Sequence, residues 1–119
     1  MGIQESGQMY LKTIYELSKE KDFVKSIDVA KRMGFSKPSV SRAIHTLEDE
    51  KLIILDGLDN IKLTDEGLKV ASSIVSKYDI LVEVFLSLGI KESTARDDAC
   101  KIEHDISNET VEALKKILK

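Results

Sequence analysis

The chain has 119 residues, 18 Lys and Arg against 21 Asp and Glu for a net charge of -3, and one cysteine. That length is one domain or two small ones sharing a core, able to fold without disulfides, and a lone cysteine has no partner for an intramolecular bridge. No signal-peptide pattern opens "MGIQESGQMY" and no apolar run approaches the ~18 residues of a membrane span, so the sequence reads as cytoplasmic, with any nucleic-acid affinity confined to a local patch.

Residues 4 to 20 carry Met9, Leu11, Ile14, Tyr15 and Leu17 at helical spacing ahead of the charged "KEKD", which predicts a first amphipathic helix. Ser26 is placed to cap "IDVAKRM", Asp28 suits the positive end of that helix, and Gly34 suits its left-handed close. A third helix repeats the recipe: Ser36 caps it, Pro38 lies in its first turn, and Val40, Ile44 and Leu47 form its apolar stripe. "LIIL", "DGLDN" and "IKL" then read as two short strands around an Asp-Gly turn. Thr64 caps a long helix whose stripe runs through Leu68, Ala71, Ile74, Val75, Tyr78, Leu81, Val82 and Phe85 before Gly89. "KESTARDDACKIEHDI" predicts another helix, capped between Glu92 and Thr94, and Ser107 caps a last one bearing Val111, Leu114, Ile117 and Leu118. The fold class is therefore mainly α with a small β-hairpin wing.

Helix, short helix, tight turn, helix, hairpin is the winged form of the helix-turn-helix, whose second turn helix enters the major groove. Positive charge falls on this unit. Between residues 25 and 42, Lys25, Lys31, Arg32, Lys37 and Arg42 face Asp28 alone, before the acidic "EDE" at 48 to 50. With Val40, Ile44 and Leu47 turned inwards, Lys37, Ser39, Arg42, His45 and Thr46 face outwards, and Ser36, Pro38 and Ser41 lie near the leading end. Hydroxyls and an arginine reach base edges there, and helix-start amides suit phosphate. The alternative is an ordinary solvated amphipathic helix, because this geometry also occurs without DNA. The wing tip, with Asp56, Asp59 and only Lys62 nearby, adds little attraction to phosphate.

In "DDACKIEHDIS", Cys100, Glu103 and His104 stand at i, i+3 and i+4, one face of a helix. Thiolate, carboxylate and imidazole together suit a borderline transition metal rather than calcium or magnesium, but three side chains rarely complete a site. The alternatives are a small buried cysteine, a surface glutamate and a solvated or core histidine. A nucleophilic Cys100 with His104 as base is a further reading, with no oxyanion hole or orienting partner legible beside it.

The chain resembles the metal-dependent repressors typified by the diphtheria toxin repressor and the manganese transport regulator. Four motifs in the family's order carry the resemblance over nearly the whole length: "MYLKTIYEL" at 9 to 17, "SIDVAKRMGFSKPSVSRAIHTLE" at 26 to 48, "LTDEGLKVA" at 63 to 71 and "DDACKIEHDIS" at 97 to 107. The resemblance implies a winged helix-turn-helix DNA-binding domain over residues 1–70 and a helical metal-binding and dimerisation domain over 71–119, in the family's two-domain form. It implies Met9 as a fourth, thioether ligand beside Cys100, Glu103 and His104. With two soft donors, iron(II) fits this set best, with cobalt(II), nickel(II) or zinc(II) also fitting and manganese(II) less well. It also implies that Ser36, Pro38, Ser39, Ser41 and Arg42 lie nearest the bases; Lys25, Lys37, His45 and Thr46 complete the expected DNA-facing set.

Departures from the family narrow the expectation. The manganese branch has carboxylates where this chain has Met9 and Lys12; Tyr78 and Arg96 stand where family histidines occur, and Val82 where a glutamate often stands. The ancillary metal site is thus expected to be lost, leaving one metal per subunit, with Lys12 or Arg96 in the space of a second ion. Arg42 replaces a glutamine of the toxin repressor, so the operator is expected to differ. The expected partners are a palindromic double-stranded DNA operator and a second copy of the chain, joined through Leu81, Val84, Phe85 and Leu88 with Val111, Leu114, Ile117 and Leu118, with no membrane and no small-molecule substrate. The leading reading is a metal-activated repressor of metal-uptake genes, not an enzyme, in which metal fixes the spacing of two heads. Competing readings are a metal-independent or redox-sensing winged-helix regulator with a vestigial metal site, and a small cysteine hydrolase.

Overall fold

A computed structural model describes residues 5–118. Its order is α1 (Glu5–Glu20), α2 (Ser26–Met33), α3 (Lys37–Asp49), β1 (Ile53–Leu55), β2 (Ile61–Leu63), α4 (Asp65–Ser87), α5 (Glu92–Ile102), α6 (Asn108–Lys115) and a 3-10 turn (Lys116–Leu118). Two compact units divide the chain, Met1–Ser72 and Ser73–Lys119. Among the described residues no helix is long and apolar enough to cross a membrane.

The first unit closes on Leu11, Ile14 and Leu17 of α1, Val29 and Ala30 of α2, Val40, Ile44 and Leu47 of α3, and Leu52, Ile53 and Ile61 of the hairpin region. The expected stripe of α3 is thus buried, and its polar face is left to solvent. Local chemistry sets the ends of the turn. At α2 the cap is Lys25 rather than Ser26: the Asp28 carboxylate accepts the Lys25 amide at 2.9 Å, which starts the helix one residue earlier than the serine would. Gly34 closes α2 at φ 71°, where a Cβ would be strained. Ser36 caps α3 as expected, accepting from the Ser39 amide at 3.3 Å.

The wing is an antiparallel pair with Ile53 opposite Leu63 and Leu55 opposite Ile61. Its turn is not the Asp-Gly turn expected from the sequence. Asp56 Oδ1 accepts from the Leu58 and Asn60 amides at 2.9 and 3.1 Å, and Asp59, not Gly57, takes the left-handed conformation at φ 59°. The base of the wing is tied to the connection between α1 and α2, because the Ile61 amide donates to the Val24 carbonyl at 2.7 Å and the Val24 amide donates to buried Asn60 Oδ1 at 2.8 Å. At the exit, Thr64 Oγ1 accepts from the Gly67 amide at 3.0 Å and donates to the Lys51 carbonyl at 2.8 Å, so Thr64 caps α4 and fastens it to the hairpin entry.

The second unit packs Leu81, Val82 and Ala99, with Tyr78, Phe85, Ile102, Ile106 and Leu114 partly buried around them. Ser107 caps α6 as expected, accepting from the Thr110 amide at 3.1 Å. Three expectations need correction. Leu68, read as part of the α4 stripe, is exposed; α5 stops at Ile102 instead of running through Ile106; and Leu81, Val84 and Val111, read as faces for a second copy, are buried within the chain. Leu88 (66%) and Ile117 (57%) of that expected face are exposed, as is Leu86 beside them.

Candidate nucleic-acid interface and metal centre

The outward face of α3 holds the residues read from the sequence. Ser36, Lys37, Pro38, Ser41, Arg42, His45 and Thr46 are exposed, as is Lys25 at the start of α2, while Ser39 is partly buried. Burial of the Val40, Ile44 and Leu47 stripe puts them there, since one helix cannot turn both faces to the core. The charge is distributed less evenly than the sequence count implied. Arg32 is drawn to Glu20 at 2.6 Å, bridging α2 and α1, and Asp28 to Lys21 at 2.7 Å, tying α2 to the residue just past α1. These pairs hold the Glu20 and Asp28 carboxyls below their ordinary range, through the Arg32 and Lys21 side-chain bonds respectively. His45 Nδ1 stands 3.8 Å from Glu48 on the same helix.

Sequence reasoning gave Ser39 an outward, base-proximal position but no partner. Its Oγ is in fact a junction, 3.0 Å from Ser36 Oγ and accepting from Arg42 Nη2 at 3.4 Å. The i, i+3 spacing of Ser36, Ser39 and Arg42 was the signal available for it.

The expected ligands divide between the units. Met9 lies on α1 in the first, 37% exposed, with its carbonyl accepting from Thr13 Oγ1 at 2.9 Å. Cys100, Glu103 and His104 belong to the second. Cys100 is exposed on α5, whereas Glu103, in the turn just past the helix, is only 1% exposed and His104 is partly buried. Among the described residues no three His, Cys, Asp or Glu side chains are gathered closely enough to hold an ion. The convergence on one helical face drawn from the spacing is therefore not the arrangement seen. Its premise was a helix running through His104, and α5 ends at Ile102. Helical geometry persists one residue further, with the Glu103 amide donating to the Ala99 carbonyl at 3.0 Å, before the Asp105 and Ile106 amides both turn to the Ile102 carbonyl at 3.0 Å. Lys77 Nζ on α4 donates to the Ile106 carbonyl at 3.1 Å and anchors the far side of this turn.

Two departures from the family pattern meet in the second unit. Arg96 Nη1 on α5 donates to Tyr78 Oη on α4 at 3.3 Å, and Arg96 Nε donates to Glu92 at 2.9 Å. A fixed cation thus lies between the two helices, and the Tyr78 and Glu92 contacts raise the guanidinium pKa further. The donor set Met9, Cys100, Glu103 and His104 fits a borderline transition metal in chemistry: thioether, thiolate, carboxylate and imidazole.

A helix-turn-helix with a hairpin wing and a cationic, hydroxyl-rich outer helix defines a winged-helix DNA-binding protein. Comparison with known proteins supplies the family. The model of the iron dependent repressor N-terminal DNA binding domain matches residues 3–57, and that of the iron dependent repressor metal binding and dimerisation domain matches residues 64–119. The chain is 28% identical over 116 residues to the diphtheria toxin repressor of Corynebacterium diphtheriae, covering 97% of this chain and 51% of that protein. It is 32% identical over 106 residues to the transcriptional regulator MntR of Escherichia coli O6:H1, covering 89% and 68%. The solved structure of the manganese regulator SloR superposes with a TM-score of 0.80 at 34% identity, covering 94% of this chain and 53% of that one. The chain spans about half the length of the toxin repressor and of SloR. It belongs to the iron-dependent repressor family of metal-dependent transcriptional regulators.

Proposed function

We propose that the chain is a metal-activated DNA-binding repressor of metal-uptake genes, a cytoplasmic homodimer rather than an enzyme. The observation that carries this reading is the run of both family models along one chain whose α3 presents Ser36, Lys37, Ser41 and Arg42 to solvent. One divalent ion per subunit is held by Met9, Cys100, Glu103 and His104, iron(II) first by donor softness, with manganese(II), cobalt(II), nickel(II) and zinc(II) as alternatives. Manganese gains support from the names of relatives such as SloR. When bound, the metal would supply free energy to order the turn after Ile102, which carries Glu103 and His104. The Arg96 guanidinium held by Tyr78 and Glu92 supports a single ion. Calorimetry returning two tight equivalents would contradict that stoichiometry.

A dimer follows from size as well as resemblance. A helical unit of this length buries too little apolar surface to leave Leu86, Leu88 and Ile117 in water without cost, and a second copy covers them. Two recognition helices then meet a palindromic operator in successive major grooves about 34 Å apart, and restricting their spacing lowers the ordering cost of binding.

The test is selection of bound duplexes from a randomised pool by the full chain, reduced and anaerobic, with iron(II), with manganese(II), and with chelator. The expected result is enrichment of a palindrome only with metal, lost in Cys100→Ala. The exposed Cys100 thiol favours a second reading, a redox-sensing regulator without metal. Equal enrichment with chelator, abolished by oxidation, would replace the first reading with the second.

A further inference from the structure

α3 carries a hydrogen-bonded chain along its outer edge. Ser36 Oγ accepts the Ser39 amide and lies 3.0 Å from Ser39 Oγ; Ser39 Oγ accepts from Arg42 Nη2 at 3.4 Å; and one turn on, Thr46 Oγ1 donates to the Arg42 carbonyl at 3.0 Å. Helical side chains lean towards the N-terminus, and the Ser39 contact holds the Arg42 guanidinium in that direction, over the first turn of α3. The placement matters because a recognition helix meets base edges with its N-terminal residues, while cations beside it meet phosphates. Guanidinium has five N–H donors in a rigid fork, so one directed at Ser39 leaves a pair for a guanine O6 and N7. A lysine ammonium offers only a point charge.

We infer that Arg42 is the sequence-reading cation of this interface, directed at a guanine in each half-site, and that Ser39 is its positioning residue. The inference rests on the DNA-binding reading above and adds a division of labour to it. Lys37 on the same helix acts on phosphate, without regard to sequence. Ser39 serves through its hydroxyl alone: its amide remains capped by Ser36 Oγ when the side chain is shortened, so Ser39→Ala leaves the start of α3 intact.

The test uses the full chain with iron(II), randomised duplexes, and four variants. The wild type should enrich guanine at one symmetric position of the half-site. Arg42→Gln should move that preference to adenine, which a glutamine reads bidentately, and weaken the original site roughly 5- to 150-fold, with a small loss on unrelated duplexes. Ser39→Ala should relax the guanine preference about two- to fivefold, and Ser39→Thr should restore it. Lys37→Gln should weaken all duplexes alike and lower the salt slope by about one. If Arg42→Gln behaves like Lys37→Gln, Arg42 is a phosphate contact and the inference falls while the DNA-binding reading stands. If Ser39→Ala leaves base preference unchanged, the positioning role falls. If the wild type selects no duplex with any metal, the DNA-binding reading itself fails, and the inference with it.

Discussion

Replacing Gly67 by alanine tests how the wing is tied to α4. A Cβ at Gly67 would overlap the Leu52 carbonyl oxygen and lie 2.9 Å from its carbon. That same oxygen accepts the Thr64 amide at 3.0 Å, and the Gly67 amide donates to Thr64 Oγ1 at 3.0 Å. The obstacle is backbone, so no side-chain rotation relieves it. Forced overpacking costs about 1–3 kcal/mol and a lost backbone hydrogen bond about 1 kcal/mol, while the better helix propensity of alanine returns up to about 1 kcal/mol. The net is a destabilisation of about 1–4 kcal/mol, or a fall in Tm of roughly 4–30 °C for a unit of this size. Thermal unfolding followed by far-UV circular dichroism measures it, with two controls. Gly57→Ala meets open space and should stay within about 0.5 kcal/mol of the wild type. Gly34→Ala also meets open space, but at φ 71° it should cost about 1–2 kcal/mol from backbone strain alone. Unfolding of Gly67→Ala at or above the wild-type Tm would refute the close approach of α4 to the Leu52 backbone.

Asp28→Ala should cost about 1 kcal/mol at neutral pH, through the capped Lys25 amide and the exposed Lys21 pair. The Lys21 bond, then the Lys25 amide, hold the folded carboxyl below its ordinary 3.8, so this contribution is complete above that pH and is lost as pH falls through the folded value. A gap between variant and wild type in urea that fails to narrow on acidification would count against it. On the proposed dimeric reading, Leu88→Glu should give a monomer in light scattering at unchanged helicity; an unchanged mass would remove Leu88 from the interface. Lys77→Met should cost about 1–2 kcal/mol by leaving the Ile106 carbonyl without its donor, and by loosening the turn that carries Glu103 and His104 should weaken metal binding in titration calorimetry. Stability lost with metal affinity intact would confine Lys77 to a packing role.

Features decided within three or four residues were legible in the sequence. The caps at Ser36, Thr64 and Ser107 each bond the amide three residues on, and the Val40, Ile44 and Leu47 stripe is buried. The Ser26 cap was misplaced because two neighbouring start signals competed, and Asp28 settled it through the Lys25 amide. The hairpin was legible but its turn was not: an Asx bond from Asp56 moved the left-handed residue to Asp59. Contacts between elements distant in sequence stayed hidden. Nothing local shows that Gly67 needs room for Leu52, that Arg96 reaches Tyr78, or that Lys77 latches Ile106. The spacing of Cys100, Glu103 and His104 was read on the assumption of a continuing helix, but α5 ends at Ile102, so the three are not presented as one ready-made helical face.

The wing bears on how affinity must be shared out. Asp56 is spent on the Leu58 and Asn60 amides, which hold its carboxyl below the ordinary value, so the tip stays anionic at any pH near neutral. Beside it, Leu58 is 70% exposed. Such a tip has nothing to offer phosphate. With Arg32 engaged by Glu20 and Arg42 proposed to read a base, the exposed lysines of this region that remain for phosphate on the proposed reading are Lys25, Lys31 and Lys37. Counterion release contributes a slope of about -0.9 per phosphate, so a dimer using these three lysines on each head should show a log affinity against log salt slope of about -5. Between 50 and 200 mM salt its affinity should fall about a thousandfold. Fluorescence anisotropy on the selected operator across that range measures the slope directly. A value near -8 or steeper would mean that Arg32, Arg42 or cations beyond these helices also reach the backbone, and would overturn the assignment of the phosphate contacts to these three lysines alone.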